Sequence, residues 1–154
     1  MIRENVGSQD QTAAAFGGLN KIEFGGSNEI AVHPITIDHS RIKELEGHLM
    51  IFFTGFSRTA SEIAAEQIKK IPQKSGELNA MRQMVDEAIN ILYSKQDIKD
   101  FGKLLNESWQ IKRGLSTKIS NSAIDKIYDT GIMAGALGGK LLGAGGGGFI
   151  LFFA

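Results

Sequence analysis

The strongest chemical signal in the sequence is a run of glycines, Gly143, Gly145, Gly146, Gly147 and Gly148, interrupted only by Ala144. A backbone without β-carbons reaches φ > 0 and can bring its N–H groups close to an anionic ligand or to a neighbouring segment. Gly143, Gly145 and Gly148 satisfy the spacing GxGxxG, but that fingerprint needs a strand before it and a helix after it. Here the apolar run Phe149 to Ala154 follows and reads as a strand. A Walker A loop fails as well, because Gly139 and Lys140 lack a glycine five positions earlier and a following Ser or Thr. A ligand-approaching loop and a tight connection between two strands are the two readings left. Asp10 is the second candidate: an N-cap or first-turn carboxylate of a short helix, or a group that orients a hydroxyl and takes its proton. Gln9 and Gln11 beside it could hydrogen-bond a polyol.

Cations form the third set. Arg58 lies in Thr54, Gly55, Phe56, Ser57, Arg58, Thr59, where an apolar strand hands over to a helix; such loops commonly meet ligands, and a helix N-terminus favours an anion. Lys112 and Arg113 end a helical stretch, where cations either complement the helix dipole or bind an anion. The three histidines, His33, His39 and His48, lack HExxH or facial-triad spacing, and there is no cysteine to join them in a metal site.

The elements that must position these residues follow from hydrophobic periodicity. Ser8 or Asp10 ahead of Thr12 to Phe16, with Gly17 and Gly18 behind, predicts a short capped helix. Leu19 to Phe24 and Ile30 to Ile37, separated by Gly25, Gly26, Ser27 and Asn28, predict a hairpin, with Pro34 confining its second arm to an edge or bulge. His48 to Thr54 predicts a strand covered on both faces. Ala60, Ile63, Ala64, Gln67, Ile68 and Ile71 share one face of a helix that stops at Pro72. Further helices are marked by Leu78 to Leu92, by Ile98 to Lys112, and by Ile124, Ile127 and Tyr128 after the caps Ser120, Asn121 and Ser122. Gly138 to Leu142 and the terminal run close the pattern. Strands, then helices, then strands describe an α+β fold with helices packed on an antiparallel sheet.

Composition bounds the rest. The chain has 154 residues, 42% of them hydrophobic, with 17 basic and 17 acidic side chains, and no cysteine. A domain of this length builds a core without disulfides. Disulfide frameworks, cysteine-based zinc sites and cysteine nucleophiles are excluded. A formal net charge of zero leaves no uniform field to hold nucleic acid or an anionic membrane. The apolar runs fall well short of the ~20 residues that cross a bilayer. The absence of a basic-then-apolar leader makes the cytoplasm the expected compartment. Because the last residues read as a buried strand, the sequence predicts a domain truncated at both ends, and an exposed apolar surface that favours a homo-oligomer.

Two segments, VGSQDQTAAAFGG and KLLGAGGGGFILFF, resemble motifs of the GHMP small-molecule kinases, the group of galactokinase, homoserine kinase, mevalonate kinase and phosphomevalonate kinase. FFTGFSRTASE and NESWQIKRGLSTKISN resemble the sugar-kinase branch that acts on D-glycero-D-manno-heptose 7-phosphate, with L-fucose kinases as neighbours. The resemblance covers nearly the whole chain. It implies a GHMP carboxy-terminal domain over residues 1–154, a ferredoxin-like antiparallel sheet with helices on one face, preceded by the Asp-bearing helix and hairpin at 8–37. It implies transfer of the γ-phosphoryl group of ATP, with Mg2+, to a hydroxyl of a sugar or sugar phosphate. Asp10 would be base or orienter, Gln9 and Gln11 would meet the sugar, and Arg58, Lys112 and Arg113 would hold an existing phosphate. Gly143 to Gly148 would be the phosphate and substrate loop. The family's ATP-phosphate loop, PxxxGLGSSA, has no counterpart in these residues, so an amino-terminal kinase half is the implied partner. The chain alone is then expected to be inactive and to bind neither ATP nor Mg2+ tightly. A non-catalytic binding or dimerising module, and a kinase for unphosphorylated fucose or galactose, are the alternatives.

Overall fold

The computed structural model describes residues 7–25, 29–56 and 60–154. Ser57, Arg58 and Thr59, and the turn residues Gly26, Ser27 and Asn28, lie outside the described residues. Helix α1, Gln9–Phe16, carries Asp10 in its first turn, where a carboxylate complements the dipole. Ser8 makes no side-chain cap; instead the Thr12 hydroxyl donates to the Ser8 carbonyl oxygen at 2.7 Å. Thr12 is the one buried residue of α1. Strands β1, Asn20–Phe24, and β2, Ile30–Pro34, form the expected antiparallel hairpin, with Asn20 opposite Pro34 and Phe24 opposite Ile30.

Helix α2, His39–His48, is an element that the apolar pattern does not signal. Its core side is little more than Leu45, and Gly47 sits in its last turn, so the hydrophobic period is too short to detect. Strand β3, Leu49–Phe53, follows at once. The middle of the chain is helical as expected: α3, Ala60–Lys70, a single 3₁₀ turn at Ile71–Gln73, α4, Ser75–Tyr93, α5, Lys99–Arg113, and α6, Ser122–Met133. Asn121 caps α6, its Oδ1 accepting from the N–H groups of Ala123 at 3.0 Å and Ile124 at 3.1 Å.

Strands β4, Gly138–Leu141, and β5, Phe149–Phe153, form a hairpin across the glycine loop, and β3 pairs antiparallel with the other side of β5. The order is β3-β5-β4. Alternation along β5 sends neighbouring side chains to opposite faces and so into two cores. Phe152 packs with Trp109, Ile119, Ile124, Tyr128, Leu141 and Ile150. Phe153 packs with Leu45, Leu92 and Ile98, and stacks on His48 at 4.7 Å between ring centroids. Helix α5 reaches β4 closely because Gly138 has no side chain: a Cβ there would press on the Gly102 carbonyl and lie 2.8 Å from the Asn106 nitrogen.

The expectation that the strand at His48 to Thr54 is covered on both faces is corrected. Met50, Ile51, Phe52 and Phe53 are 48%, 63%, 46% and 58% exposed. A continuous apolar run signals that both faces are apolar, not that something lies on them. Helices α5 and α6 lie against β4 and β5, whereas β3 is the outer strand.

Candidate functional site

The loop between β4 and β5 is built on backbone conformations that side chains resist. Gly143, Gly145, Gly146, Gly147 and Gly148 have φ of 66°, 120°, 76°, 154° and 104°. Gly145 is needed twice over, since a Cβ there would also fall 2.8 Å from the Ile119 Cα.

Several elements tie the loop down. From α5, the Lys112 ammonium donates to the carbonyl oxygens of Gly143 at 2.6 Å and Leu141 at 3.0 Å. From α3, Gln67 Nε2 donates to the Ala144 carbonyl at 2.7 Å. The Gly146 N–H donates to Ile119 O and the Gly148 N–H to Phe56 O, both at 2.9 Å. At the end of β3, the buried Thr54 donates its N–H to Gly148 O at 2.8 Å, and its hydroxyl lies 3.0 Å from the same oxygen.

The sequence candidates separate. Lys112 is brought to the loop, but as a donor to loop carbonyls. Its neighbour Arg113 points elsewhere and is exposed, with Nη1 3.8 Å from Asp125 Oδ1. Consecutive helix positions diverge by roughly 100°, which is why adjacent cations serve different surfaces. Gln9, Asp10 and Gln11 are exposed on α1, and among the described residues no hydrogen bond or ion pair joins them to the loop. The chain just after α1 is anchored: Lys21 donates to Asp86 of α4 at 2.9 Å. Leu19, Asn20 and Lys21 line a cavity of about 330 Å³ with Met81, Ser108 and Lys140.

Four residues escaped the sequence reading. Gln67 was visible as a polar residue on an otherwise apolar helix face. Lys140 was visible as a charge in an apolar strand, and its ammonium reaches Ser108 Oγ at 3.3 Å. Ser116 and Glu66, joined at 2.5 Å, carried no local signal, since they lie far apart in sequence.

Burial shapes the titration of the two lysines. Desolvation, with the positive charge of Lys140 nearby, lowers Lys112 from 10.5 to about 8. Desolvation also lowers Lys140. Because the folded value of Lys112 lies below the unfolded one, the unfolded chain binds more protons between about pH 8 and 10.5, and stability rises with pH across that window. Urea unfolding should show a gain on the order of 1–2 kcal/mol between about pH 7.5 and 9.5, allowing for solvent screening. Lys112→Met should flatten the rise, leaving the smaller slope due to Lys140. An unchanged slope in that variant would place the desolvated charge elsewhere.

Residues 81–154 match the family described as GHMP kinases C terminal. Among curated proteins, the chain is 35% identical over 149 residues to D-glycero-alpha-D-manno-heptose 7-phosphate kinase of Campylobacter jejuni, covering 96% of this chain and 44% of that protein. It is 28% identical to the bifunctional fucokinase/GDP-fucose pyrophosphorylase of Arabidopsis thaliana, covering 96% of this chain and 14% of that one. The chain therefore spans less than half the length of these curated relatives. A crystal structure of a D-glycero-D-manno-heptose 1-phosphate kinase from Bacteroides thetaiotaomicron superposes with a TM-score of 0.62 at 30% identity, over 97% of this chain and 38% of the other. L. major mevalonate kinase in complex with R-mevalonate shares the fold, with a TM-score of 0.74 at 24% identity, over 94% and 43% of the two chains.

Proposed function

We propose that this chain supplies the carboxy-terminal part of a sugar kinase that transfers the γ-phosphoryl group of ATP to a hydroxyl of a sugar phosphate, with heptose 7-phosphate as substrate. The observation that carries the proposal is the 35% identity across 149 residues to a heptose 7-phosphate kinase, set against 28% to the plant fucokinase. In this reading residues 8–37 belong with the domain and present Asp10 to the acceptor hydroxyl, while Gln9 and Gln11 bind the sugar. Phosphoryl transfer depends on positioning and charge neutralisation, which suits an exposed carboxylate, a fixed backbone loop and arginines for the existing phosphate. Arg58 and Arg113 take that last role. Lys112 acts on the loop instead, since two of its donors are engaged there.

The test joins the amino-terminal portion of the Campylobacter relative to this chain and offers ATP with heptose 7-phosphate, fucose or galactose. The joined protein should phosphorylate heptose 7-phosphate, and the 154-residue chain alone should phosphorylate none. A preference for an unphosphorylated sugar would replace the substrate. Inactivity on every sugar, combined with light scattering of the chain alone at twice its 16.7 kDa mass, would replace the kinase with a dimerising module.

A further inference from the structure

Alternation along β4 sends Leu141 into the main core and Lys140 to the opposite face of the strand. There Lys140 borders the cavity of about 330 Å³ that opens between the β1–β2 hairpin, α4 and α5. Its walls are apolar, with Met84, Ile89, Leu104 and Leu105 among them, and among the described residues no carboxylate lines it. The two lysines on its lining stand differently. Lys21 is neutralised, its ammonium 2.9 Å from Asp86 Oδ1 and 3.1 Å from Glu23 Oε1. Lys140 donates one long hydrogen bond, 3.3 Å to Ser108 Oγ, and among the described residues no acid pairs with it. Burial lowers its pKa and no neighbouring anion raises it again. An ammonium carries three donors, and a desolvated one without an anion is costly. The Ser108 hydroxyl accepts from Lys140 and keeps its own proton to donate.

We propose that this cavity binds a small amphipathic carboxylate, its charged end on Lys140 and Ser108 and its apolar tail along α4 and α5. One unpaired cation beside one hydroxyl matches a single monoanion, and the apolar walls select against a hydrated inorganic ion. A methylene fills about as much space as a water, ~30 Å³ in the liquid, so the cavity takes on the order of ten non-hydrogen atoms, the size of octanoate. Neither Asp10 nor any residue of the glycine loop lines it, so the site is separate from the one assigned to phosphoryl transfer and does not depend on that reading.

The experiment is NMR of the methionine methyl groups in the full chain, titrated with octanoate and, separately, with octanol. Met81 and Met84 line the proposed site, whereas Met50 lines the separate apolar cavity between β3 and α6 and reports unspecific uptake. Octanoate should shift the Met81 and Met84 signals to saturation and leave Met50 in place. Octanol, equal in length but uncharged, should bind about tenfold more weakly or worse. Lys140→Met should weaken octanoate by about tenfold or more and leave octanol unchanged, whereas a merely structural lysine would alter both alike. Ala88→Leu extends a side chain into the cavity without touching the charge and should abolish the binding of both. If Lys140→Met does not fold, the octanol comparison and Ala88→Leu decide. The proposal is overturned if octanoate leaves Met81 and Met84 unmoved or moves Met50 equally. It is overturned as well if octanol binds the wild type as tightly, or if octanoate binds either variant as it binds the wild type. None of these outcomes touches the sugar preference of the joined protein, and a wrong sugar there leaves the octanoate result standing.

Discussion

Gly138→Ala should destabilise the domain by about 3 kcal/mol or more, enough to remove much of the stability of an ordinary domain. The added Cβ would meet the Gly102 carbonyl and the Asn106 nitrogen, both backbone atoms of α5. A flexible side chain could swing aside, but here the helix itself would have to move off β4. The same helix supplies Trp109, which has no exposed surface, and Asn106, whose Oδ1 accepts from the Tyr128 hydroxyl at 2.5 Å, so the displacement would propagate into the main core. Gly47→Ala is the matched control. A Cβ at that helical position meets nothing within 4 Å, and the change should be neutral or stabilising by up to ~1 kcal/mol. Urea unfolding of the two variants reads the difference; a Gly138→Ala midpoint close to that of the wild type would show that α5 and β4 are less tightly joined than the structure has them.

The second large effect concerns turnover. In the joined kinase, Asp10→Asn should lower kcat by roughly 10²-fold and leave the Michaelis constant for heptose 7-phosphate nearly unchanged, because the amide keeps the shape but cannot take the proton. Arg113→Ala or Arg58→Ala should do the reverse. Loss of a charge-assisted contact worth ~1.5–3 kcal/mol raises the Michaelis constant about tenfold to hundredfold, for the phosphorylated sugar alone. Arg113 is free enough for the task, since its only ion-pair neighbour among the described residues is Asp125 at a loose 3.8 Å. If both arginine changes leave that constant alone, the phosphate is held elsewhere. A full-speed Asp10→Asn enzyme would remove Asp10 from the chemistry.

Helices α3 to α6 and the hairpin across the glycine loop were legible because each has a sustained period with a cap or a breaker at its end. Helix α2 was not, since one buried leucine makes no period. Strand β3 was legible as a strand but not in its surroundings: Leu-Met-Ile-Phe-Phe specifies apolar faces, and only the strand order shows which faces the helices reach. Lys112 and Arg113 show the same limit at single-residue scale. Both are cations at a helix end, and their adjacency suggested a common role. What divides them is a loop about thirty residues away whose carbonyls lie within reach of one ammonium and not of the guanidinium beside it. Gln67 was readable only as a polar interruption, because its partner is a backbone carbonyl that carries no sequence identity.

The left-handed glycines of the loop also constrain its history. A replacement at any of these glycines puts a side chain on a backbone that L-residues rarely adopt, so the loop has few neutral neighbours in sequence space. Gln9, Gln11 and Arg113 are exposed and bear no such restriction. In the proposed kinase, a lineage built on this domain could exchange one sugar for another by drift at those exposed positions, while the glycine loop, held by its backbone conformation, would change little.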